Sequence, residues 1–305
     1  MRIYYLPGES VNSYISNIKG ILSVNHKVES MPEVNDFKTF LSQMKIYKES
    51  IIILNWFEDK TSLRGNFFKI IYRFLYILII KIIFRKVIWI RHNFKPHDKH
   101  NPYVYRFFCF FLYYISDEKV THRDILGYKY IPHPLYININ KFLIESRKID
   151  YLYFGVISRY KGLVKLLSFW PVNKKLVIRG SCKEQALYEE LISIILKRQL
   201  DVDIENVFLS ENDLGIMISN TKFVILPHDD KSMIVSGVFY HAATFGANVL
   251  MFKSEFYDFC ENKFSFVSEL NEEVDAKYIE PRIVINEVLR ECSNHIVLSE
   301  MNKLF

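Results

Sequence analysis

Short apolar segments with the pattern of β-strands alternate along this chain with longer segments that have the pattern of amphipathic helices. The alternation occurs in two series, which are separated by the polar stretch Glu145–Asp150. Strands that are joined by helices form parallel sheets with helical crossovers. The sequence therefore predicts an α/β protein with two Rossmann-like domains, at 1–146 and 147–305, which face each other across a cleft.

Each series predicts a definite order of elements. The first predicts strands at Arg2–Leu6, Ile51–Trp56, Lys86–Arg91 and Lys129–Ile131, with helices near Val11–Leu22, Asp36–Tyr47, Leu63–Phe84 and Tyr103–Tyr114. The second predicts strands at Tyr151–Phe154, Leu176–Ile178, Asn206–Leu209, Phe223–Leu226 and Asn248–Met251, with helices at Leu163–Phe169, Lys183–Lys197, Asn212–Ser219 and Gly237–Phe245. Because ligands of such sheets bind at the carboxyl ends of the strands, functional residues are expected there.

Length and cysteine content limit the class of protein. A chain of 305 residues has enough material for two hydrophobic cores. Its four cysteines are far apart and form no CxxC pair, which excludes a disulfide scaffold and a zinc clamp and favours a reducing compartment. The N-terminal apolar run is too short for a signal peptide, so we expect a cytoplasmic protein.

The positive charge is concentrated in segment 60–116, which has eleven basic residues and one acid, whereas the rest of the chain carries a net charge of −4. The segment also has sixteen aromatic residues, and its longest apolar run is too short to cross a bilayer. We expect it to face an anionic membrane surface peripherally, and we expect no nucleic-acid partner. The alternative is a buried crossover helix whose cations extend outward. The cations expected on one side are Lys69, Arg73, Lys81 and Arg85.

The segment Tyr153–Leu167 (YFGVISRYKGLVKLL) predicts an anion site. A strand ends at Gly155, the following loop carries Arg159 and Lys161, and a glycine then begins a helix. Free backbone N–H groups and two cations would converge where a diphosphate could bind. The alternative is an ordinary strand-to-helix turn with solvated basic residues.

A second predicted helix begins farther along the chain, after a strand that ends in Leu-Pro-His. Ser236, Gly237 and Val238 could offer backbone N–H groups to another part of the same phosphate. Simple helix capping by the serine is the alternative.

His92 and Asn93 follow a predicted strand of the first domain, on the edge where ligands bind. The neutral-range pKa of histidine suits an acid, base or hydrogen-bonding role there, although a single histidine can also be structural. Glu58 is one of the acids nearest to the strand ends and could contact a hydroxyl group of an acceptor. His133 is interpreted as a turn residue.

Several of these segments resemble one family along nearly the whole chain. FGVISRYKG, LPH, SG and FGANV resemble the donor-domain motifs of bacterial GT-B glycosyltransferases of the group 1 or family-4-like type, in a branch that assembles O-antigen, capsule or exopolysaccharide. In the first half, NSY, LNWFED, IWIRHNFKPHD and YIPHPLY resemble the motifs NPY, HWPE, WTVHNxxPHE and IPHPLY of that branch. Met233 and His241 stand where the broader family has two glutamates.

The resemblance implies transfer of a hexosyl group from a nucleotide-diphosphate sugar to a lipid-linked saccharide, with retention of configuration. It implies a protein on the inner face of the cytoplasmic membrane, with no cofactor. The residues implied in catalysis are His92, Arg159 and Lys161. Those implied in donor binding are Gly155, Arg159, Lys161, Ser236, Gly237, Val238 and His241. Those implied in acceptor binding are Asn12, Glu58, His92 and Asn93.

Asp201-Val202-Asp203 has the DxD form of a metal-diphosphate site, but it is interpreted as a solvated turn because short DxD strings arise by chance. No other His, Cys or carboxylate cluster has ligand spacing, so no metal site is predicted. Two alternatives to the transferase remain. One is a non-catalytic, membrane-associated assembly protein derived from this fold. The other is a different nucleotide-sugar enzyme, such as an epimerase, which would need a GxGxxG motif, or a phosphorylase.

Overall fold

A computed structural model describes residues 1–10, 13–31, 42–58, 67–95, 102–136, 146–228 and 233–305, with backbone alone at 67–69 and 102. The chain divides into two compact units. The first comprises Met1–Pro134, Ser232–Val235 and Cys292–Phe305. The second comprises Leu135–Lys231 and Ser236–Glu291.

The first unit contains a six-stranded parallel sheet with the order β2-β1-β3-β4-β5-β6. Its strands are β1 (Arg2–Leu6), β2 (Lys27–Ser30), β3 (Ile51–Asn55), β4 (Lys86–Ile90), β5 (Glu118–Thr121) and β6 (Lys129–Tyr130). Every residue of β3 is buried, as expected for a parallel strand that is covered by helices on both faces. Asn55 pairs with Ile90, so β3 and β4 end at the same level and His92 follows close by.

The helices of the first unit cover both faces of this sheet. They are α1 (Tyr14–Leu22), α2 (Met44–Tyr47), α3 (Phe67–Ile83), α4 (Pro102–Ile115) and α11 (Asn294–Asn302). One core contains Ile77 of α3 and Phe108 of α4. The core on the other face contains Ile18 of α1 together with Val297 and Met301 of α11.

The second unit contains a six-stranded parallel sheet with the order β12-β11-β10-β7-β8-β9. Its strands are β7 (Ile149–Phe154), β8 (Leu176–Gly180), β9 (Val202–Asn206), β10 (Thr221–Leu226), β11 (Asn248–Met251) and β12 (Val267–Glu269). Its helices are α5 (Leu163–Phe169), α6 (Gln185–Arg198), α7 (Glu211–Ser219), α8 (Gly237–Thr244), α9 (Glu255–Glu261) and α10 (Pro281–Cys292), the last of which ends at a residue of the first unit. Two Rossmann-like sheets with alternating helices confirm the predicted fold class.

The predicted strand Asn206–Leu209 is wrong, because β9 lies earlier in the chain and includes most of the DxD string. Alternate residues of β9 face opposite ways. Val202 and Ile204 pack against the core, whereas the carboxylates of Asp203 and Glu205 lie 2.7 Å and 3.1 Å from Nη2 of the buried Arg179. Asp203 therefore belongs to an edge strand and an ion pair, not to a solvated turn. The sequence interpretation also omitted β2 and β5.

The domain boundary differs from the one predicted at 146/147. The first stretch of the first unit ends at Pro134, and the unit also includes Ser232–Val235 and Cys292–Phe305 from the second half of the sequence. The physical reason is burial, since Val297, Met301 and Leu304 are almost completely enclosed in the core beside α1. The predicted helix near Asp36–Tyr47 lies in part outside the described residues, and its described part is α2.

Candidate functional site

The two predicted phosphate-binding segments of the second unit are in contact. A Cβ atom on Gly162 would lie 1.9 Å from the carbonyl oxygen of Pro227, so only glycine allows this approach. Gly162 also has a φ of +75°, which favours glycine. Gly155, with a φ of +113°, lies beside Val238, since a Cβ on it would be in ordinary van der Waals contact with that side chain at 3.7 Å. The ends of β7 and β10 and the start of α8 therefore meet.

The two cations of this loop have different surroundings, although only one residue separates them. Arg159 is exposed and donates from Nε to Glu184 and from Nη1 to Glu190, each at 2.9 Å. These hydrogen bonds raise the pKa of the guanidinium. The local charge around Arg159 is therefore already balanced by carboxylates.

Lys161 is mostly buried and has no hydrogen bond or ion pair within the part of the chain that the structure describes. Burial alone lowers the pKa of its ammonium group to about 8. The ammonium group lies 5.1 Å from the ring of Tyr160. In the same loop, the hydroxyl group of Ser158 is buried without a partner among the described residues. A desolvated cation beside an unused hydroxyl group is a suitable environment for an anion.

Helix α8 begins beside an aromatic stack. Ser236 is buried and precedes the helix with an extended backbone, but its side chain makes no capping hydrogen bond. A Cβ on Gly237 would lie 2.6 Å from the hydroxyl group of Tyr136. The ring of Tyr136 stacks on His241 with centroids 4.6 Å apart, and His241 also contacts Phe154 at the end of β7. Burial lowers the pKa of His241 to about 4, so this imidazole is neutral.

His92 lies in an aromatic cluster at the carboxyl edge of the first sheet. Its Nε2 donates to Asn55 Oδ1 at 3.1 Å. Its ring lies 4.7 Å from Trp56 and 4.8 Å from Tyr14, and 5.2 Å from His122, measured between centroids. The cluster thus holds the ring of His92 from several sides.

The other two histidines of this cluster donate to backbone carbonyls. His122 Nδ1 lies 2.8 Å from the carbonyl oxygen of Ile131, so Nδ1 carries the proton and Nε2 accepts from the hydroxyl group of Tyr14. His133 Nδ1 donates to the carbonyl of Pro134. Burial lowers the pKa of His122 to about 4, and burial also lowers the pKa of His133 well below its usual value. The sequence interpretation took His133 for a turn residue and did not single out Tyr14, Trp56 or His122.

The other predicted acceptor residues occupy different places. Glu58 is buried and accepts a hydrogen bond from Trp89 Nε1 at 2.9 Å. The backbone of Asn93 forms a β-bridge with Met233, and its carbonyl accepts from Arg91 and Tyr105. Asn12 lies outside the described residues.

Helices α3 and α4 share an exposed apolar surface. Phe74 of α3 contacts Phe107 and Phe111 of α4, so the two helices are neighbours. Ten large exposed side chains recur at helical spacing on their outer sides, and together they are called the α3/α4 face. They are Ile71, Tyr72, Leu75, Leu78, Ile79 and Ile82 of α3, and Tyr103, Phe107, Phe110 and Tyr114 of α4.

The four cations predicted on one side of the segment do not form a row on the α3/α4 face. Lys81 pairs with Asp117, Arg85 donates to the carbonyl of Phe305, and Arg73 is partly buried, which lowers its pKa. The side chain of Lys69 is outside the description, and Arg106 of α4 is exposed beside the apolar residues. The outer surface is therefore mainly apolar, with Arg106 as an exposed cation. Among the described helices, none is both long and apolar enough to span a bilayer.

Within the described ranges, no group of three or more His, Cys, Asp or Glu side chains is arranged to hold a metal ion. In the histidine cluster, ring nitrogens of His92, His122 and His133 contact Asn55, Tyr14 and two backbone carbonyls.

No family model matches the sequence, and no curated protein sequence matches it. Solved structures do match the fold. AviGT4, a glycosyltransferase involved in avilamycin A biosynthesis, matches with a TM-score of 0.61 and 12% identity over 100% of this chain and 96% of its own. WaaB, a lipopolysaccharide outer core galactosyltransferase, matches with a TM-score of 0.59 and 13% identity over 100% and 99%.

Anabaena HepE in complex with UDP matches with a TM-score of 0.57 and 12% identity over 99% of this chain and 93% of its own. The likeness covers both Rossmann-like sheets. The chain has the GT-B fold. At these identities the likeness concerns the fold alone.

Proposed function

We propose that this protein is a glycosyltransferase that transfers a hexosyl group from a nucleotide-diphosphate sugar to a lipid-linked saccharide in the assembly of a cell-surface polysaccharide. The observation that carries the proposal is Lys161, a mostly buried cation without a counter-ion among the described residues, at the carboxyl end of β7. A buried charge is costly unless it is paired, so an anionic ligand is its natural partner.

The phosphate groups of the donor would bind between the loop after β7 and the start of α8. Lys161 supplies the positive charge, Ser158 offers a hydroxyl group, and Ser236 to Val238 offer backbone N–H groups at a helix N-terminus. When the bond between the anomeric carbon and the diphosphate breaks, both electrons go to the diphosphate. Stabilising that developing charge is the largest contribution that such a site makes to the rate.

His241 lies beside the end of β7, at a position where the family that the sequence resembles has a glutamate. Its imidazole is neutral. In the proposed site it contacts a hydroxyl group of the donor as an uncharged hydrogen-bonding group. We propose a retaining, metal-independent reaction, because the resemblance of the sequence favours it and because Lys161 supplies the charge that a metal ion would otherwise supply.

On the acceptor side, we assign His92 a hydrogen bond to the saccharide acceptor, since it follows β4 at the carboxyl edge of the sheet. Asn93 follows it directly. We assign Glu58 to holding Trp89 in place, because its buried carboxylate accepts the indole hydrogen bond.

We further propose that the α3/α4 face rests on the inner surface of the cytoplasmic membrane, where a lipid-linked acceptor would be located. Contiguous apolar patches of more than a few hundred Å² mark interaction surfaces. Tyrosine side chains, of which this face has three, favour the headgroup level of a bilayer. The contact then depends mainly on apolar insertion, with the basic residues of the segment adding attraction to anionic lipids.

A panel of nucleotide sugars tests the transferase. Each compound is screened by thermal shift and by release of free nucleotide. The matching donor at a hundred times its dissociation constant should add about 2.7 kcal/mol to the free energy of unfolding. If neither any nucleotide diphosphate nor inorganic pyrophosphate stabilises the protein, the proposal is wrong.

A non-catalytic assembly protein is the second candidate, because Met233 and His241 replace two glutamates and because Arg159 is paired with two carboxylates. The same screen separates the two. Binding of a nucleotide diphosphate without turnover, in the presence of lipid-linked saccharide, would favour the second candidate.

A further inference from the structure

Trp56 has an unusual backbone conformation at the end of β3. Its φ is +45°, in the left-handed region that bulky side chains rarely adopt. Strained residues of this kind persist where the surrounding structure fixes them, and they are concentrated at functional sites.

The residues on either side explain how this conformation is held. Asn55 is buried and pairs in register with Ile90. Phe57 is 2% exposed, and the buried carboxylate of Glu58 accepts from Trp89 Nε1. Because the chain is anchored before and after Trp56, the left-handed turn places this one side chain against the His92 cluster.

The indole group is only partly covered. One side contacts the His92 ring at 4.7 Å with an angle of 31° between the planes, and Tyr14 meets it edge-on at 5.5 Å. Trp56 is partly buried against the core beside α1 and partly exposed to solvent. Its Nε1 makes no hydrogen bond within the described residues, whereas the indole groups of Trp89 and Trp170 are buried and both donate.

Two polar side chains with no exposed area lie in this region, Tyr5 in β1 and Asn55 in β3. The hydroxyl group of Tyr5 interacts with the side chains of Asn55 and Tyr14, whereas Asn55 Nδ2 has no well-aligned hydrogen bond among the residues described. A buried donor without a well-aligned partner is rare in folded proteins and calls for water or a ligand. Tyr5 and Asn55 lie on neighbouring strands, at or near the carboxyl ends, in the layer that also holds His92.

We propose that Trp56, supported by His92, is a platform for a pyranose ring. A pyranose has C–H groups on its faces and hydroxyl groups around its rim. The C–H face would pack on the indole, and rim hydroxyl groups would accept from Trp56 Nε1 and, directly or through one water, from Asn55 Nδ2. This subsite deepens the proposed function, since it rests on that function only for naming the sugar as part of the acceptor.

Because the backbone of Trp56 is in the left-handed region, a variant can remove its side chain and preserve the turn. Trp56→Asn removes the platform, but asparagine tolerates the left-handed region well, so the turn and the fold are preserved. Trp56→Phe keeps a smaller aromatic face and removes the N–H donor. Far-UV circular dichroism and the thermal midpoint of both variants should match those of the native protein to within a few degrees.

The test uses the three indole N–H signals in a nuclear magnetic resonance spectrum of protein labelled with ¹⁵N-tryptophan. Titration is with methyl α- and β-pyranosides of glucose and galactose, and sorbitol serves as the acyclic control. The signal that is lost in Trp56→Asn should shift saturably with at least one pyranoside, with a dissociation constant of about 1 to 100 mM. Signals of Trp89 and Trp170 should stay in place.

In Trp56→Phe, the affinity for the same pyranoside, followed by the imidazole signals of His92, should fall about threefold, and in Trp56→Asn about tenfold or more. The platform is wrong if no pyranoside shifts the Trp56 signal, or if sorbitol shifts it equally. Adding UDP to the same samples separates this outcome from the proposed function. Binding of UDP without a pyranoside response rejects only the platform. A pyranoside response without binding of UDP, of any other nucleotide diphosphate of the panel or of pyrophosphate rejects only the transferase.

Discussion

Both units have candidate functional groups at the carboxyl edge of their sheet, but these groups are neutral in the first unit and cationic in the second. At the carboxyl edge of the first sheet, His122 and His133 are neutral and donate to backbone carbonyls, and His92 is enclosed by aromatic rings. At the carboxyl edge of the second sheet, Lys161 is a desolvated cation. In the proposed function, the parallel sheet sets the edge at which a ligand binds, and the side chains after each strand would decide between a neutral saccharide and an anion.

The largest expected effect concerns the cation. Lys161→Gln should weaken binding of the nucleotide diphosphate and slow transfer by roughly ten- to a thousandfold, because it removes about 1.5 to 4 kcal/mol of charge stabilisation. Isothermal titration with UDP and a nucleotide-release assay measure both quantities.

Arg159→Gln is the matched control in the same loop. The sequence analysis places both cations at the diphosphate. Because the guanidinium of Arg159 is already hydrogen-bonded to Glu184 and Glu190, we expect Arg159→Gln to change binding and transfer by less than about threefold. If Arg159→Gln and Lys161→Gln lose binding and transfer equally, the two cations do not differ in function.

Acid should destabilise the first unit more than the second. Burial lowers the pKa of His122 from 6.5 to about 4, so the folded state favours the neutral ring. The stability that this neutral ring contributes is complete above pH 6.5. As the pH falls from 6.5 to 4, the free energy of unfolding decreases, and the total loss is ~3 kcal/mol. His133 adds a loss in the same unit, and His241 contributes a loss of the same kind in the second unit.

Hydrogen exchange of peptides from each unit between pH 7 and about 4 measures this difference. His241→Phe should reduce the acid sensitivity of the second unit and leave that of the first unchanged. The role of His241 is wrong if the second unit of this variant loses protection in acid to the same extent as in the native protein.

Alkaline pH should weaken the anion site alone. Lys161 loses its proton near pH 8, so the affinity for UDP should fall about tenfold per pH unit above that value. Lys161→Arg keeps its charge and should shift this loss above pH 10. Binding of methyl pyranosides by the first unit should be constant over the same range.

The smallest expected effect concerns the membrane. Phe110→Ser should lower binding to vesicles of anionic lipid about threefold to tenfold, because a half-exposed phenyl ring contributes roughly 1 kcal/mol on insertion. Lys81→Gln is the control and should change binding less, since Lys81 is paired with Asp117. Cosedimentation measures both. A larger effect of Lys81→Gln would restore the electrostatic explanation that the charge count favoured.

Local patterns predicted most of the fold. β1, α5 and β11 have the bounds that the sequence predicted, because apolar runs between turn residues determine them. β9 could not be placed in this way, since its outward carboxylates are neutralised by Arg179 from the neighbouring strand. Long-range pairing of this kind has no local signal.

The same distinction applies to the sites. Gly155, Lys161 and His92 are recognisable because each follows a strand within a few residues. The carboxylates that occupy Arg159 are 25 and 31 residues away, and the left-handed turn at Trp56 depends on Phe57 and Glu58 being anchored in the core. Sequence therefore predicted which residues lie near the carboxyl ends of strands better than it predicted which contacts their side chains make.

Because Cys292–Phe305 belong to the first unit, the order of translation affects the order in which the two units can fold. These residues leave the ribosome only after all of the second unit has been made. Until then, the apolar side of α1 that Val297 and Met301 cover has no partner from that helix. The unit that is synthesised first is therefore completed last, and the second unit can fold on the ribosome while the first still waits for its closing helix.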